Sequence, residues 1–507
     1  MAEIVSTRLM VGLEIHVELA TRSKMFTRVG SPACEEFDGA APNTLIDPVV
    51  LGLPVALPVM NKSAVEMSML VGLAMGCTIA PFTKWDRKSY YYPDLPKAYQ
   101  ISQYDLPLCF DGAFDLPLED GTTTRIGIIR AHLEEDAGKL LHELPGGRTA
   151  DFSIVDYNRA GTPLLEIVTA PDFGSADELV AFARTLRNVC RFLGVTEGVM
   201  QRGHMRFEPN INLVLELADG RLIKTPIVEI KNLNSFRALK GAVEYEQKHQ
   251  ADRWREDGKV MGPGSKTTRG WNDAENRTFV QREKEDAHDY RYFPDPDLAP
   301  VVVDAAWIEA VRSRLPELPH ERSARYQRAC GLSAKEALAL TEERDVCFFF
   351  EEAVEAAIEA GVPTSAAWKQ SANMVLQSGA RRANERGVLT NELGITPSQV
   401  AGIIALRHGD EIGSSAADEL FGVLCESDAD AKTEAQRHNL LQVRDEGAMQ
   451  AWVDAALADP ANAKVLEDIR GGKMSAIGRL IGSVMKASGG QADAKLAQAK
   501  IKETLGV

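Results

Sequence analysis

The sequence predicts an α+β protein, with an antiparallel-sheet body over residues 1–298, an all-α region over 299–435 and a small helical tail over 436–507. Two observations carry that prediction. Up to Pro300 the chain repeatedly alternates apolar and polar residues with the period of two that a half-buried strand requires. Beyond Pro300 apolar residues recur at helical spacing and strand signals almost vanish. Strands mixed with helices and joined by short Gly/Pro turns suit helices packed on an antiparallel sheet.

The elements follow in order. Residues 12–19 set Leu13, Ile15, Val17 and Leu19 on one strand face and Glu14, His16 and Glu18 on the other. A helix starts at the capping box Ser175-Ala-Asp-Glu178, buries Leu179, Phe182, Ala183, Leu186, Val189, Cys190 and Leu193, and stops at Gly194. Residues 207–217 alternate again, with Asn210, Asn212, Val214 and Glu216 opposite Ile211, Leu213, Leu215 and Leu217. Residues 251–280 hold Gly258, Gly262-Pro-Gly264 and Gly270 and read as a loop or insertion. Helices are expected over 334–341, 346–360, 397–407 and 431–443.

Composition narrows the classes. The 507 residues are 45% hydrophobic and 26% charged, as in an ordinary globular protein. The first residues carry no signal-peptide core and no stretch is apolar enough to span a bilayer, so a cytoplasmic location without membrane attachment is expected. Seven scattered cysteines without a CxxC suggest neither zinc nor a disulfide framework. A net charge of −16 argues against coating nucleic acid through bulk electrostatics. From Arg470 onward, however, seven cations face two acids, a local +5.

The densest chemistry lies in Arg130-Ala-His-Leu-Glu-Glu-Asp-Ala-Gly-Lys139. Adjacent carboxylates repel and are usually tolerated where a cation holds them. Glu134, Glu135 and Asp136 between His132, Arg130 and Lys139 fit a hard divalent metal carrying phosphates, and fit a solvated acidic turn as well. The Glu14/His16 strand face is a second platform for a metal, or a plain structural histidine. Residues 85–103 carry Asp86, Arg87, Lys88, Asp94 and Lys97 among four tyrosines, either a rigid surface loop or a substrate-facing one. Glu166 interrupts the apolar run Leu-Leu-Glu-Ile-Val and requires solvent or a partner. Two polar runs, 229–236 and 288–297, suit junctions or ligand contacts. There is no P-loop, no GxGxxG and no glutaminase nucleophile, so ammonia, if used, must come from another polypeptide.

Several strings together resemble the B-subunit family of aspartyl/glutamyl-tRNA(Asn/Gln) amidotransferases, in that family's order. They are Gly12-Leu-Glu-Ile-His-Val-Glu-Leu19, Tyr92-Pro-Asp-Leu-Pro-Lys-Ala-Tyr-Gln-Ile-Ser-Gln103, His132-Leu-Glu-Glu-Asp-Ala-Gly-Lys139, Asn158-Arg-Ala-Gly-Thr-Pro-Leu-Leu-Glu166, Lys231-Asn-Leu-Asn-Ser-Phe236 and Asp289-Tyr-Arg-Tyr-Phe-Pro294. The late segment Ala476-Ile-Gly, Met485-Lys-Ala-Ser, Gly490-Gln491 resembles the family's tail. The resemblance implies a cradle domain similar in topology to the catalytic part of glutamine synthetase. It implies a carbon–nitrogen ligase using Mg²⁺ and ATP to phosphorylate the side-chain carboxylate of Glu-tRNA(Gln) or Asp-tRNA(Asn). Ammonia from an amidase subunit then displaces phosphate, and a small tethering subunit completes a heterotrimer.

Carried over by motif, Glu14, His16, Glu135 and Glu166 would surround Mg²⁺ with Glu134 close by. Lys88, Tyr90, Tyr92, Asp94 and Lys97 would line the ammonia path, and Arg159, Arg206, Asn210 and Asn232 would sit near nucleotide or acyl group. The basic tail, with Arg479 and Lys486, would reach the tRNA body. Two departures stand out. Arg206-Phe-Glu-Pro-Asn-Ile-Asn212 replaces the family's Arg-Cys-Asp-Ala-Asn-x-Ser, putting Glu208 for Asp and Asn212 for Ser. Thr27, Asp47 and Val50 stand where some relatives carry zinc cysteines, so no zinc is expected. A free-standing carboxylate–amine ligase is the runner-up enzyme, and a catalytically silent tRNA- or partner-binding protein the third reading. The basic helical tail disfavours the former and the acid/histidine set the latter.

Overall fold

The computed structural model describes residues 3–118, 121–144, 148–283, 290–442, 445–471 and 473–506. The chain forms two compact units, Met1–Pro319 and His320–Val507.

The first unit is built on one large sheet, thirteen-stranded among the described residues. Ten strands define its path: β1 (Ile4–Glu18), β2 (Asp86–Ser89), β3 (Tyr99–Ser102), β4 (Thr123–Glu135), β5 (Pro163–Thr169), β6 (Met205–Leu217), β7 (Val228–Lys231), β8 (Thr267–Asn272), β9 (Arg277–Glu283) and β10 (Phe293–Pro294). Their spatial order is β9-β8-β7-β6-β1-β5-β4-β3-β2-β10. Neighbours along it run antiparallel except β7 and β8, which are parallel. A parallel pair needs a long crossover, and helix α3 below supplies it.

One face of this sheet is the core. Leu13, Ile15 and Val17 of β1, Leu133 of β4, Leu165 and Ile167 of β5, and Phe207 and Ile211 of β6 are at most 1% exposed. They belong to one hydrophobic cluster with residues of the helices α1 (Lys62–Ala74), α2 (Ala176–Phe192) and α3 (Phe236–Asp257), among them Val65, Leu179, Phe182, Leu239 and Val243. Full burial of each such side chain is worth about 1.5–3 kcal/mol, so the strand period is enforced by the core. The opposite face is therefore left for the intervening polar residues.

The expected helix after Ser175 forms as α2, with Gly194 at φ +68° just beyond its end. Its cap differs in one detail. Ser175 Oγ accepts from Glu178 N at 3.1 Å, but the Glu178 carboxylate reaches back to Gly174 N at 2.8 Å. Residues 251–280 are not a loop: they finish α3 and form most of the β8–β9 hairpin. Trp254, 6% exposed, joins the core and anchors the last turn of the helix, just before the glycine-rich stretch. Likewise residues 85–103 contribute the paired strands β2 and β3, joined by the tyrosine- and proline-bearing segment.

The first unit ends at Pro319, beyond the expected boundary at 298. The reason is visible in the packing. Val301 and Val302 pair with Thr83 and Phe82, and Glu66 of α1 accepts from Trp307 Nε1 at 3.0 Å and Arg314 at 2.8 Å.

The second unit is built from helices, including Ala334–Leu340, Arg344–Glu359, Pro397–His408 and a shorter Ala431–Arg437. Its last helices, from Glu446–Ala458 to Ala494–Leu505, surround a hydrophobic cluster containing Met449, Val453, Leu480, Val484 and Ile501. Among the described residues no helix is long and apolar enough to cross a membrane.

Candidate active site

The polar face of the sheet gathers its chemistry by register. His16 on β1 lies opposite Glu166 on β5 and Arg206 on β6. Glu166 in turn lies opposite His132 on β4. Glu14 faces Glu208, and Ser102 of β3 faces Glu134. Each strand contributes alternate residues, so four strands deliver a continuous patch of acids and imidazoles.

Distances give the patch its shape. Glu166 Oε2 lies 3.5 Å from His16 Nε2 and 3.7 Å from His132 Nε2. His132 Nε2 is 3.4 Å from Glu134 Oε1. Glu134 accepts from Ser102 Oγ at 2.7 Å and Gln100 Nε2 at 3.1 Å, with Lys88 Nζ at 4.0 Å. Arg130 approaches Glu166 at 3.9 Å. The sheet thus holds the carboxylates with fixed donors on one side and a pair of imidazoles on the other.

Charge at the patch follows from this crowding. Burial and the nearby Glu166 push the Glu14 carboxyl up. Burial opposes charge on His16, but the Glu166 carboxylate hydrogen-bonds it and raises it to about 9. Glu134 and Glu166 are held low against the pull of burial, Glu134 by Lys88 and His132, Glu166 by the two histidines.

The patch fits a divalent cation. Ligand atoms from Glu14, His16 and Glu166, and from His132, Glu134 and Glu166, lie within 4.8 Å of one another in each group. A third such group, Glu14, Glu208 and Glu229, continues toward β7. His16 Nδ1 and His132 Nδ1 are both buried without a hydrogen-bond partner. Oxygen-rich sites of this kind suit Mg²⁺, and clustered acids otherwise repel.

Glu135 stands elsewhere. It follows Glu134 on the same strand and so turns to the other face, where its carboxylate is ion-paired with Lys97 and accepts from Ile101 N at 3.0 Å. The structure therefore brings Glu14, His16, Glu134 and Glu166 together and leaves Glu135 out of the cluster. Alternation alone was the signal: His132 and Glu134 share a parity that Glu135 does not.

Behind Glu135 lies a residue that the motifs did not mark. Lys24 is fully buried, and its Nζ donates to the Leu45 carbonyl at 2.6 Å and the Tyr157 carbonyl at 3.3 Å. Burial lowers it to about 8. It underpins the turn of Gly161, whose φ of +82° favours glycine.

A second charged cluster closes the end of β1. Arg206 binds Asp136 closely and Glu18 at 3.1 Å, while Arg159 lies 3.5 Å from Asp136 and donates to the carbonyls of Ala137 and Gly138. Burial and Asp136 push Glu18 up to about 8. Asp136, to which the sequence motifs assign no role, thus anchors both arginines.

The remaining expected residues are dispersed. Asn210 lies on β6 with Oδ1 buried and unpartnered, opposite Glu229. Asn232 is exposed at the turn before α3 with φ +63°. Lys231 binds Glu208 at 2.6 Å, so the Glu that replaces Asp is ion-paired on this face. Asn212 is buried and reaches Met261 Sδ at 4.0 Å. Along the expected ammonia path, Lys88 and Lys97 flank the two glutamates from opposite faces, Tyr90 is half-buried, Tyr92 is exposed, and Asp94 accepts Gly138 N through its backbone carbonyl. Thr27 Oγ1 donates to the Asp47 carboxylate, which also accepts Val50 N at 2.8 Å. Arg479 and Lys486 are exposed on the helix Ile477–Ala487. Asp289 and His288 lie outside the described residues.

A sheet whose one face is packed with helices and whose other face carries this acid–imidazole patch is that of a catalytic domain, and comparison with known proteins agrees. Residues 9–309 match the model of the GatB/GatE catalytic domain and residues 349–505 that of the GatB domain. The chain is 43% identical, over 98% of both chains, to the B subunit of the aspartyl/glutamyl-tRNA(Asn/Gln) amidotransferase of Thermomicrobium roseum. It is 42% identical to the corresponding B subunit of Rhodopirellula baltica over 94% of this chain and 92% of that one, and 42% identical to that of an Anaeromyxobacter species over 98% and 99%. The chain belongs to the family of aspartyl/glutamyl-tRNA(Asn/Gln) amidotransferase B subunits.

Proposed function

We propose that this chain uses Mg-ATP to phosphorylate the side-chain carboxylate of Glu-tRNA(Gln), Asp-tRNA(Asn) or both, and amidates the product with ammonia from a partner glutaminase subunit. The observation that carries the reading is the pair of ligand groups Glu14–His16–Glu166 and His132–Glu134–Glu166, which meet at Glu166, with Lys88 at their edge. A carboxylate is a poor electrophile because oxide is too costly to expel. Transfer of the γ-phosphoryl to its oxygen gives an acyl phosphate and ADP. Ammonia then adds to the carbonyl carbon, phosphate leaves, and a proton is released to give the amide. Such a transfer needs positioning and charge stabilisation more than a protein nucleophile.

Glu14, His16, Glu134 and Glu166 would hold Mg²⁺, which when bound neutralises phosphate charge. Lys88 and Arg130 supply fixed positive charge next to the same carboxylates. Arg206, beside the patch on β6, and Asn210 would face the nucleotide. Lys97 and Glu135 form a polar pair on the opposite side of β4, suited to passing ammonia inward. An amidase subunit and a small tethering subunit complete the assembly, in the cytoplasm, and the helical tail would contact the tRNA body through Arg479 and Lys486.

The test is ATP hydrolysis and amide formation by this chain with its amidase partner, Mg²⁺ and either aminoacyl-tRNA. Turnover with at least one tRNA is expected. Absence of ATP turnover with both would overturn the reading, and turnover with free glutamate or aspartate in place of the tRNA would favour a free-standing ligase.

A further inference from the structure

The β2–β10 edge of the sheet carries an aromatic wall whose outer pair, Tyr104 and Tyr292, the chemistry above leaves unused. Tyr104 and Tyr292 are stacked, with ring centroids 4.0 Å apart and planes 11° from parallel. Tyr290 meets Tyr292 edge-on at 6.0 Å and Tyr90 at 6.1 Å. These rings are not core: Tyr104 is 56% exposed, and Tyr290 and Tyr292 are half-buried. The wall nonetheless adjoins the acid patch. Lys88 Nζ sits 5.2 Å over the Tyr290 ring and 4.0 Å from Glu134. The Tyr292 hydroxyl feels the charges of Lys88, Glu134 and Glu166.

A stacked tyrosine pair with one ring more than half exposed offers a flat, neutral surface of nucleobase size. Unpaired bases at the ends of RNA strands are recognised by stacking on such rings. The substrate proposed above is an ester on the terminal nucleoside of a tRNA. When its side-chain carboxylate reaches the patch, that nucleoside lies only an aminoacyl group's length away. The nucleotide's proposed contacts, Arg206 and Asn210, stand on β6, on the far side of β1 and β5 from the wall. The Tyr104–Tyr292 stack therefore lies apart from the proposed nucleotide contacts.

Resting on the function proposed above, we infer that the Tyr104–Tyr292 stack receives the terminal purine base of the aminoacyl-tRNA and so sets the reach of the acyl group toward Glu134 and Glu166. The test uses the full chain and a tRNA whose 3′-terminal base is 2-aminopurine, a fluorophore quenched by stacking. Binding to the wild type is expected to quench it. Tyr104→Ala and Tyr292→Ala abolish the quenching and Tyr104→Phe keeps it. Tyr104→Ala also raises KM for aminoacyl-tRNA about tenfold or more while KM for ATP stays put. An unquenched label on bound wild-type protein overturns the inference, as does quenching of 2-aminopurine riboside triphosphate at these tyrosines in place of the tRNA label. The fluorescence needs binding alone, so failure of ATP turnover with quenching intact counts against the proposed reaction and not against the wall.

Discussion

Successive residues of a strand point to opposite faces, so Glu134 and Glu135 meet different lysines, Lys88 on the patch side and Lys97 on the other. Glu134→Gln is expected to lower acyl phosphorylation by about 100-fold, the scale seen when a metal site loses a supporting group, with tRNA affinity nearly unchanged. Phosphate release under saturating Mg-ATP measures it. Glu135→Gln instead leaves Lys97 buried without its counter-charge and should cost about 3–5 kcal/mol of stability in urea unfolding, with phosphorylation retained. A loss of phosphorylation equal to that of Glu134→Gln would return Glu135 to the metal site. Lys24 gives a pH dependence. Its folded value of about 8 lies below the ordinary 10.5, so the folded chain binds fewer protons between them. The burial cost is therefore full below pH 8 and is relieved as pH rises toward 10.5. Relative to Lys24→Met, the wild type should gain about 2 kcal/mol between pH 7 and 9.5. A flat difference would show that Lys24 keeps its proton.

At the scale of elements, β5 concentrates the argument. Leu165 and Ile167 are fully buried on the core face while Glu166 faces the patch between His16 and His132. A slip of one residue would drive Glu166 into the core, so burial of its neighbours fixes the register that assembles the site. Leu165→Ala should cost about 2–5 kcal/mol in a denaturant titration, and a cost under 1 kcal/mol would mean that the core does not set this register. The strands around Glu14 and Asn210 were legible because each has one wet and one dry face. The β8–β9 hairpin was not, because its glycines and polar residues imitate a loop and its partner β7 lies far back in the sequence. Trp254, which by its neighbours belongs to that loop, is a core anchor of α3.

At the scale of the molecule, a chain of net charge −16 ends in a segment of +5. That segment belongs to helices with a hydrophobic cluster of their own, so Arg479 and Lys486 stay exposed without weakening the fold. If they touch tRNA phosphates, the double substitution to Gln should weaken tRNA binding across both tRNAs. It should also reduce the slope of log affinity against log salt by about 2, one for each lost contact. Filter binding over a salt series measures this, and an unchanged slope would remove both residues from the interface.

The α+β class, the helical second half, the family and the residue types on the polar face are all legible in the order of amino acids. These are local properties: strand and helix periods, caps and contiguous motifs are written in neighbouring residues. Which carboxylates meet is a matter of the folded chain. Glu166 finds His16 and His132 through pairings with strands far away in sequence, and Glu135 is drawn to Lys97. Lys24 and Asp136 gained partners on the same terms, the one behind Glu135 and the other beneath Arg206. Strand order and register come from burying one face of the sheet, a sum over many distant residues that no single motif carries.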